Sequence, residues 1–251
     1  GNTLTKIKLG LKERVAALVR ATLRYMRCCQ IKLTYRTREL LQFWSVEDAG
    51  IEHGAYVTAV LVTKAKTFAH TYDAFAGITL EKSVACWGRA ELGGDSSRVA
   101  AALSSGVVSV VSNPFAFVAV KKDGSAVSWG KTWNGEDSNR VEEALSSGVV
   151  SVVSNMEAFV AIKDDGSAVS WGHAESGGDS SRVANALSSG VISVVSNPIA
   201  FVAIKEDGSA VSWGCADSGG DSSSVRTALS SGVVSVVSNS FAFVAIKEDW
   251  G

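Results

Sequence analysis

Residues Val149–Gly190 read VVSVVSNMEAFVAIKDDGSAVSWGHAESGGDSSRVANALSSG, and this stretch decides the fold because it recurs. Trp87, Trp129, Trp171 and Trp213 each precede a glycine and follow one another at a constant interval. Four copies occupy residues 65–106, 107–148, 149–190 and 191–232, and a partial fifth runs over 233–251. A fixed period of this length marks a repeat architecture, in which one unit cannot bury its apolar surface alone and stacks on its neighbours.

Within one copy, Lys163-Asp164-Asp165-Gly166-Ser167 has the composition of a hairpin tip. Asp-Gly predicts a two-residue type I′ turn, which needs positive φ at both central positions. That turn pairs Ile162 with Val169 and Val160 with Trp171, so these four share one face and Trp171 is expected buried against Val160. Ala161, Ala168 and Ser170 then make the other, smaller face. Asp179 is placed to cap a short helix over Ser180–Ser188, with Val183 and Leu187 as its apolar stripe and Gly190 as its stop. The β-branched run from Val191 begins the next copy as a strand.

The text A-F-V-A-I-K-x-D-G-S-A-V-S-W-G, with its preceding strand and following Gly-rich turn and V-x-x-x-L segment, resembles the repeats of the regulator of chromosome condensation family, a β-propeller fold. The resemblance covers about three quarters of the chain. Here Ser154, Asn155 and Phe159 stand where that family usually has glycine and histidine, and its repeats are usually longer than these. Four and a half copies do not make a seven-bladed ring, so an open arc, a solenoid or a piece of a longer chain is expected. The resemblance implies protein partners: members act as exchange factors for small GTPases or as substrate-binding arms of ubiquitin ligases. The acidic wedge loop of an exchange factor has no counterpart that can be placed in this sequence.

The 251 residues carry a net charge of −1, which gives no bulk drive toward nucleic acid or membrane. The charge is unevenly split: residues 1–62 hold ten Lys/Arg against five Asp/Glu. Cys28, Cys29, Cys86 and Cys215 have neither zinc-ligand nor disulfide-framework spacing, which points to a reducing compartment, cytoplasmic or nuclear. No apolar run is long enough to span a bilayer. The first residue is Gly1, and Asp249-Trp250-Gly251 skips the expected G-S-A-V-S, so the sequence reads as part of a longer frame.

Ahead of the repeats, Thr3–Leu9 reads as a strand and Val15, Leu18, Val19, Leu23 and Met26 as the core face of a helix. Ile31–Tyr35, a short strand ending at Leu40, a turn capped by Ser45 and a strand over Tyr56–Val62 follow. From Ile31 to Val62 this is similar, without a gap, to the second half of ubiquitin, with Leu33, Tyr35, Leu40, Val46, Ile51, Val57, Ala59 and Leu61 at that family's core positions. The resemblance implies a small α+β β-grasp domain over 1–62 whose first strand would lie before Gly1. It does not imply ubiquitin's chemistry: the di-glycine tail is absent, Thr34 and Thr58 replace the isoleucine and histidine of the recognition patch while Val60 keeps its valine, and the linkage lysines fall on Arg38 and His53.

Chemistry-bearing clusters are sparse. Gly177-Gly178-Asp179-Ser180-Ser181 precedes a helix but lacks a P-loop lysine, and Asp179 would repel a phosphate. The acidic residues show no calcium-loop spacing, His53, His70 and His173 lie in unrelated contexts, and no serine sits in a nucleophile elbow. The chain is read as non-enzymatic, with no cofactor and no metal, and with neither a membrane nor a small-molecule substrate as partner. Arg20, Arg24 and Arg27 stripe the helix of the basic N-terminal segment and offer nucleic-acid or chromatin association as the alternative reading, beside a truncated product without independent function.

Near-identical copies differ mainly just after each Trp-Gly: Arg89-Ala90-Glu91-Leu92, Lys131-Thr132-Trp133-Asn134, His173-Ala174-Glu175-Ser176 and Cys215-Ala216-Asp217-Ser218. A second variable pair follows each Ser-Asn, as at Pro114-Phe115 and Met156-Glu157. Variable loops on a rigid scaffold are where binding surfaces sit. Arg89, Lys131, Trp133, His173, Glu175, Cys215 and Asp217 are therefore the candidate partner-binding residues, with Trp133 the expected anchor of one contiguous surface. The reading is a mainly β protein of tandem propeller-type repeats, an incomplete propeller or open β solenoid, behind a ubiquitin-like domain. It is expected to serve as a protein–protein interaction scaffold.

Overall fold

The computed structural model describes residues 30–36, 38–40, 45–52, 55, 57–62, 68–131 and 138–248. Each copy forms one antiparallel sheet. In copy three the strands are Val149–Ser154, Ala158–Lys163 and Ala168–Gly172, in that order across the sheet. Copies two and four repeat this with Val107–Ser112, Ala116–Lys121 and Ala126–Gly130, and with Val191–Ser196, Ala200–Lys205 and Ala210–Gly214. Copy one has Phe68–His70, Ala74–Ile78 and Val84–Gly88, and copy five pairs Val233–Ser238 with Phe243–Lys247.

The register corrects the expected hairpin by one residue. Phe159 lies opposite Trp171, Ala161 opposite Val169, Val160 opposite Ser170 and Ile162 opposite Ala168. The turn is not type I′: Gly166 has φ 81°, whereas Asp165 is not among the positive-φ residues. Instead Gly166 N–H donates to the Lys163 carbonyl at 3.0 Å and Lys163 N–H to the Ser167 carbonyl at 2.8 Å. Asp165 Oδ1 accepts from Ser167 N–H at 2.8 Å and Ser167 Oγ at 2.6 Å, which braces the extra residue. One added loop residue exchanges the faces of one strand relative to the other. Trp171 is buried as expected, but it stacks on Phe159, with ring centroids 5.5 Å apart and planes at 22°, and not on Val160.

Both faces of an interior sheet are covered, because the sheets stack in one sense. The Phe159–Trp171 face of copy three packs on Ala116, Val118 and Val120 of copy two. Its opposite face, with Ala158, Val160 and Ile162, receives Phe201 and Trp213 of copy four. The same contact joins copies one and two through Phe117 and Trp129, and copies four and five through Phe243 against Val202 and Ile204. Each joint therefore sets a flat aromatic surface on a β-branched or alanine face, and aromatic residues of this size dominate the burial.

The linker between sheets is shaped to serve that contact. Gly177 has φ 90°, and a Cβ there would lie 2.7 Å from the Phe201 ring. Its carbonyl accepts the indole N–H of Trp213 at 3.0 Å, as the Gly93 carbonyl accepts that of Trp129 at 3.1 Å. Gly135, the equivalent position ahead of copy three, lies outside the described residues. The expected helix over Ser180–Ser188 is a 3-10 turn, Ser181–Val183, running into a single α turn, Ala184–Leu187, with Leu187 buried. Asp179 Oδ1 accepts the Ser181 N–H at 2.8 Å, so it braces the entry to the turn while Ser180 holds the N-cap position.

The first strands of successive sheets lie side by side along one line. Ser154 Oγ donates to the Ser112 carbonyl, Ser196 Oγ to that of Ser154 and Ser238 Oγ to that of Ser196, each at 3.0 Å. The arrangement is open, since the outer faces of the first and fifth sheets carry exposed apolar residues.

Before the repeats, Gln30–Tyr35, Arg38–Leu40 and Thr58–Val62 form a separate three-stranded antiparallel sheet with Gln30–Tyr35 in the middle. Leu33, Leu40 and Val46 are buried there, whereas Tyr35, Ile51 and Val57 are half-buried. Ser45 and Asp48 close the turn reciprocally, Ser45 Oγ donating to Asp48 Oδ2 at 2.6 Å and Asp48 N–H to Ser45 Oγ at 3.0 Å. The strand read at Thr3–Leu9 and the helix read over Val15–Met26 lie outside the described residues, as do Cys28, Cys29, Arg20, Arg24 and Arg27.

Candidate functional site

The loop between the first and second strands of copies two to five begins with an asparagine that builds it. Asn155 Oδ1 accepts the N–H groups of Glu157 at 2.9 Å and Ala158 at 2.7 Å, and its amide donates to the Ser176 carbonyl at 2.7 Å. Asn197 repeats all three bonds, the last to Ser218 at 2.7 Å. Thr71 does the corresponding work in copy one, accepting from Ala74 N–H at 3.0 Å and donating to the Leu92 carbonyl at 3.1 Å. Asn155, which departs from the resembled family's pattern, is thus the residue that ties both variable segments of a copy together. Asparagine-led turns use this side-chain-to-backbone bonding.

The consequence is that the two variable positions of each copy meet. Residues after Trp-Gly donate their backbone N–H to the equivalent loop residue of their own copy: Arg89 to Asp73, Lys131 to Phe115, His173 to Glu157 and Cys215 to Ile199, at 2.8 to 3.0 Å. Their side chains are chemically matched. Arg89 lies 3.6 Å from Asp73 Oδ2, Lys131 Nζ lies 4.9 Å from the Phe115 ring centroid, and His173 Nδ1 lies 3.7 Å from Glu157 Oε2. Ser176 Oγ donates to that same Glu157 oxygen at 2.6 Å. In copy four the pair is apolar, Ile199 with Cys215.

The candidate residues therefore divide. Arg89, Lys131, His173 and Cys215 occupy equivalent places at the same end of successive sheets, each against its loop partner. Glu175 and Asp217 are exposed on 3-10 turns, Ala174–Ser176 and Ala216–Ser218, whose last residues turn inward and are buried. Trp133, the expected anchor, lies outside the described residues. Arg89 also pairs with Glu91, at 3.2 Å.

Sequence reasoning passed over the groove beside this row. The Ser-Asn loops of four copies line a shallow hollow of about 510 Å³, formed by residues such as Asn113, Pro114, Met156, Pro198 and Ser240. Neighbouring loops are joined by backbone bonds, Tyr72 N–H to the Pro114 carbonyl at 2.9 Å and Met156 N–H to that of Pro198 at 3.0 Å. Met156 lines the hollow and is exposed, and Tyr72, bonded to Pro114, is exposed as well and meets Phe115 edge-on at 5.5 Å. The signal was present in the sequence as the variable pairs after each Ser-Asn.

Among the described residues no group of three or more His, Cys, Asp or Glu converges as a metal site would. The shifted acids belong to turns: hydrogen bonds from the Ser125 hydroxyl and backbone N–H hold Asp123 below the usual carboxylate range. Burial pushes the Cys86 thiol up, as suits a residue facing the core between copies one and two. No described helix is long and apolar enough to cross a membrane.

No protein-family model matches the chain, and no curated protein matches it. Solved structures do. Prp20p from Saccharomyces cerevisiae, described with its binding to Gsp1p and histones, is 14% identical over 74% of this chain and 53% of its own, with a TM-score of 0.42. Yeast RCC1 (Prp20) bound to Kap60 is 14% identical over 85% of this chain and 58% of its own, at 0.45. Human WBSCR16 is 16% identical over 81% of this chain and 57% of its own, at 0.40. The chain thus spans little more than half the length of these proteins. At this identity and superposition the similarity assigns no residue and no partner.

Proposed function

We propose that the repeat array is a non-enzymatic protein-binding scaffold whose recognition surface is the end of the stack where the Ser-Asn loops converge. One observation carries this reading. Copies that are nearly identical elsewhere diverge at positions that meet in space, and the variable residue just before the loop member of three of those pairs, Pro114, Met156 and Pro198, lines a single groove. The groove is lined by asparagine, serine, proline and the exposed Met156, and the exposed Tyr72 is hydrogen-bonded to Pro114 beside it. That mix of aromatic and sulfur-bearing anchors with adaptable polar groups suits a protein segment.

The sequence resemblance names the classes to test first, small GTPases and components of ubiquitin ligases. Partner capture by the whole chain is compared with capture by Met156→Arg and by Tyr72→Ala. Both side chains are already exposed, so circular dichroism and thermal midpoint stay near those of the parent. A loss of capture of tenfold or more in either variant is the expected result, given the cost of truncating an interface anchor. Full retention of every partner by both variants places recognition elsewhere and sinks the reading.

A further inference from the structure

The hairpins of copies two, three and four close on the same dipeptide: Asp123-Gly124, Asp165-Gly166 and Asp207-Gly208. Aspartyl-glycine is a chemically fragile link, because the unhindered glycine nitrogen can attack the neighbouring carboxyl. The bond that forms, from the glycine nitrogen to the aspartate Cγ, expels one water and leaves a five-membered succinimide. Water then reopens the ring at either carbonyl. Opening at the main-chain carbonyl leaves the backbone running through the side chain, as isoaspartate. Both residues are nonetheless required here. The glycines hold φ 84°, 81° and 78°, a region that residues with a Cβ resist. The aspartates supply the acceptor that braces each turn.

The fold restrains both reacting atoms. Each glycine is buried, and its N–H donates to the carbonyl of Lys121, Lys163 or Lys205 at 3.0 Å. Attack needs that nitrogen stripped of its proton and turned to the carboxyl, and the bond opposes both. The carboxylate is held as well. Asp123 Oδ1 accepts from Ser125 N–H at 2.9 Å and from Ser125 Oγ at 2.6 Å. Asp165 and Asp207 accept in the same way from Ser167 and Ser209, at 2.8 and 2.6 Å. The Ser125 bonds hold the Asp123 carboxyl below the usual range, so it stays ionised at neutral pH. An ionised carboxylate cannot release its oxygen as water until it is protonated.

We infer that Asp123, Asp165 and Asp207 are latent isoaspartate sites, kept closed by the hydroxyl of the serine that follows each Asp-Gly. Opening one acts on the array and not on the tip alone. The carbonyls of Gly124, Gly166 and Gly208 accept the N–H of Val149, Val191 and Val233, the residue that begins the next copy, each at 2.8 Å. Isoaspartate inserts an extra main-chain carbon just ahead of that glycine and leaves a new carboxylate beside it. The glycine carbonyl is then displaced from the next copy's first strand, so a conversion at one tip loosens the joint that follows it.

The test incubates the whole chain at neutral pH beside Ser167→Ala, Ser167→Thr and a synthetic peptide of residues 158–172 as the unfolded reference. Isoaspartate is read at each site by electron-transfer fragmentation of proteolytic peptides. The parent is expected to convert Asp165 about tenfold or more slowly than the peptide, since the turn must first give up its hydrogen bonds. Ser167→Ala is expected to gain about tenfold at Asp165, the factor one charge-assisted hydrogen bond supplies. Asp123 and Asp207 stay at the parent rate and serve as controls within the same molecule. Ser167→Thr keeps a hydroxyl and is expected to keep the parent rate. A parent that converts as fast as the peptide overturns the inference. So does Ser167→Ala at the parent rate, or Ser167→Thr as fast as Ser167→Ala, since the hydroxyl is then not the guard. An equal rise at all three sites in Ser167→Ala also overturns it, because that pattern reports a loosened fold and not one broken bond.

Discussion

Trp87 and Trp171 occupy the same place in the same hairpin, two copies apart, yet one is 46% exposed and the other 8%. Their local surroundings match: each stacks on a phenylalanine directly across the strand pair and precedes a glycine at positive φ. The difference lies in the neighbour. Trp171 has Val118 and Val120 of the preceding sheet beneath it, while Trp87 begins the stack. Stability in this molecule is thus a property of joints between copies more than of the copies themselves.

Hydrogen exchange probes that contrast over its widest range, since local opening spans from near zero to the global stability of roughly 5–15 kcal/mol. Exchange should be slowest in the second strands of copies two and three, Ala116–Lys121 and Ala158–Lys163, where five consecutive residues are buried. It should be fastest in the fifth copy, Val233–Lys247. Uniform protection across all copies would show that the ends are covered in solution. Next in size, Trp171→Ala should destabilise by about 3–5 kcal/mol in urea unfolding, the usual cost of removing a buried aromatic. Trp87→Ala should cost roughly 1 kcal/mol, as half its burial is missing. Equal losses would remove the distinction between interior and end.

Asn155→Ala should cost about 1–3 kcal/mol, because it strands two backbone N–H groups and the Ser176 carbonyl. Asn239, whose loop is exposed in copy five, should cost less than about 1 kcal/mol when replaced. A smaller effect of opposite sign is expected at Lys82. It holds φ 63° where copies two to four have glycine, a conformation a side chain resists. Lys82→Gly should stabilise copy one by roughly 0.5–1 kcal/mol, and a loss would show that the lysine side chain serves copy one in another way.

The smallest expected effect is on acid stability. Hydrogen bonds from Ser125 lower Asp123, and at Asp165 and Asp207 burial acts upward but is outweighed by the bonds from Ser167 and Ser209. Depressed carboxylates contribute fully above the unfolded value of about 3.9 and lose that contribution as pH falls through the lower folded values. Replacing all three aspartates by asparagine should therefore lower the thermal midpoint at neutral pH, and the gap should narrow below about pH 4. A gap independent of pH would mean the charge plays no part in the turns.

The period, the hairpin tip and the burial of Trp171 could be read from the sequence because Trp-Gly and Asp-Gly recur at fixed spacing. The register could not. Ala158–Ile162 is buried at every position, so the strand has no apolar–polar alternation to fix which face a residue takes. Only the turn could decide, and a glycine at positive φ serves both a two-residue turn and the longer one that forms. The site was half visible for a similar reason. Both variable segments stood out, but their meeting depends on Asn155 folding one loop back onto the other, which no periodicity reveals. Asp73 with Arg89 and Glu157 with His173, an acidic and a basic residue type at the same sequence separation in two copies, were the available clue.

The chain of serine-to-carbonyl bonds running from Ser238 to Ser112 has a genetic corollary. Each rung joins one copy to the next by the same atoms at the same 3.0 Å, and the aromatic joints beside it are equally alike. Any interior copy is therefore an acceptable successor to any other. Unequal crossing-over between copies, which adds or deletes a whole repeat unit, leaves every remaining rung intact. The array is built so that recombination changes its length without presenting selection with a misfolded intermediate.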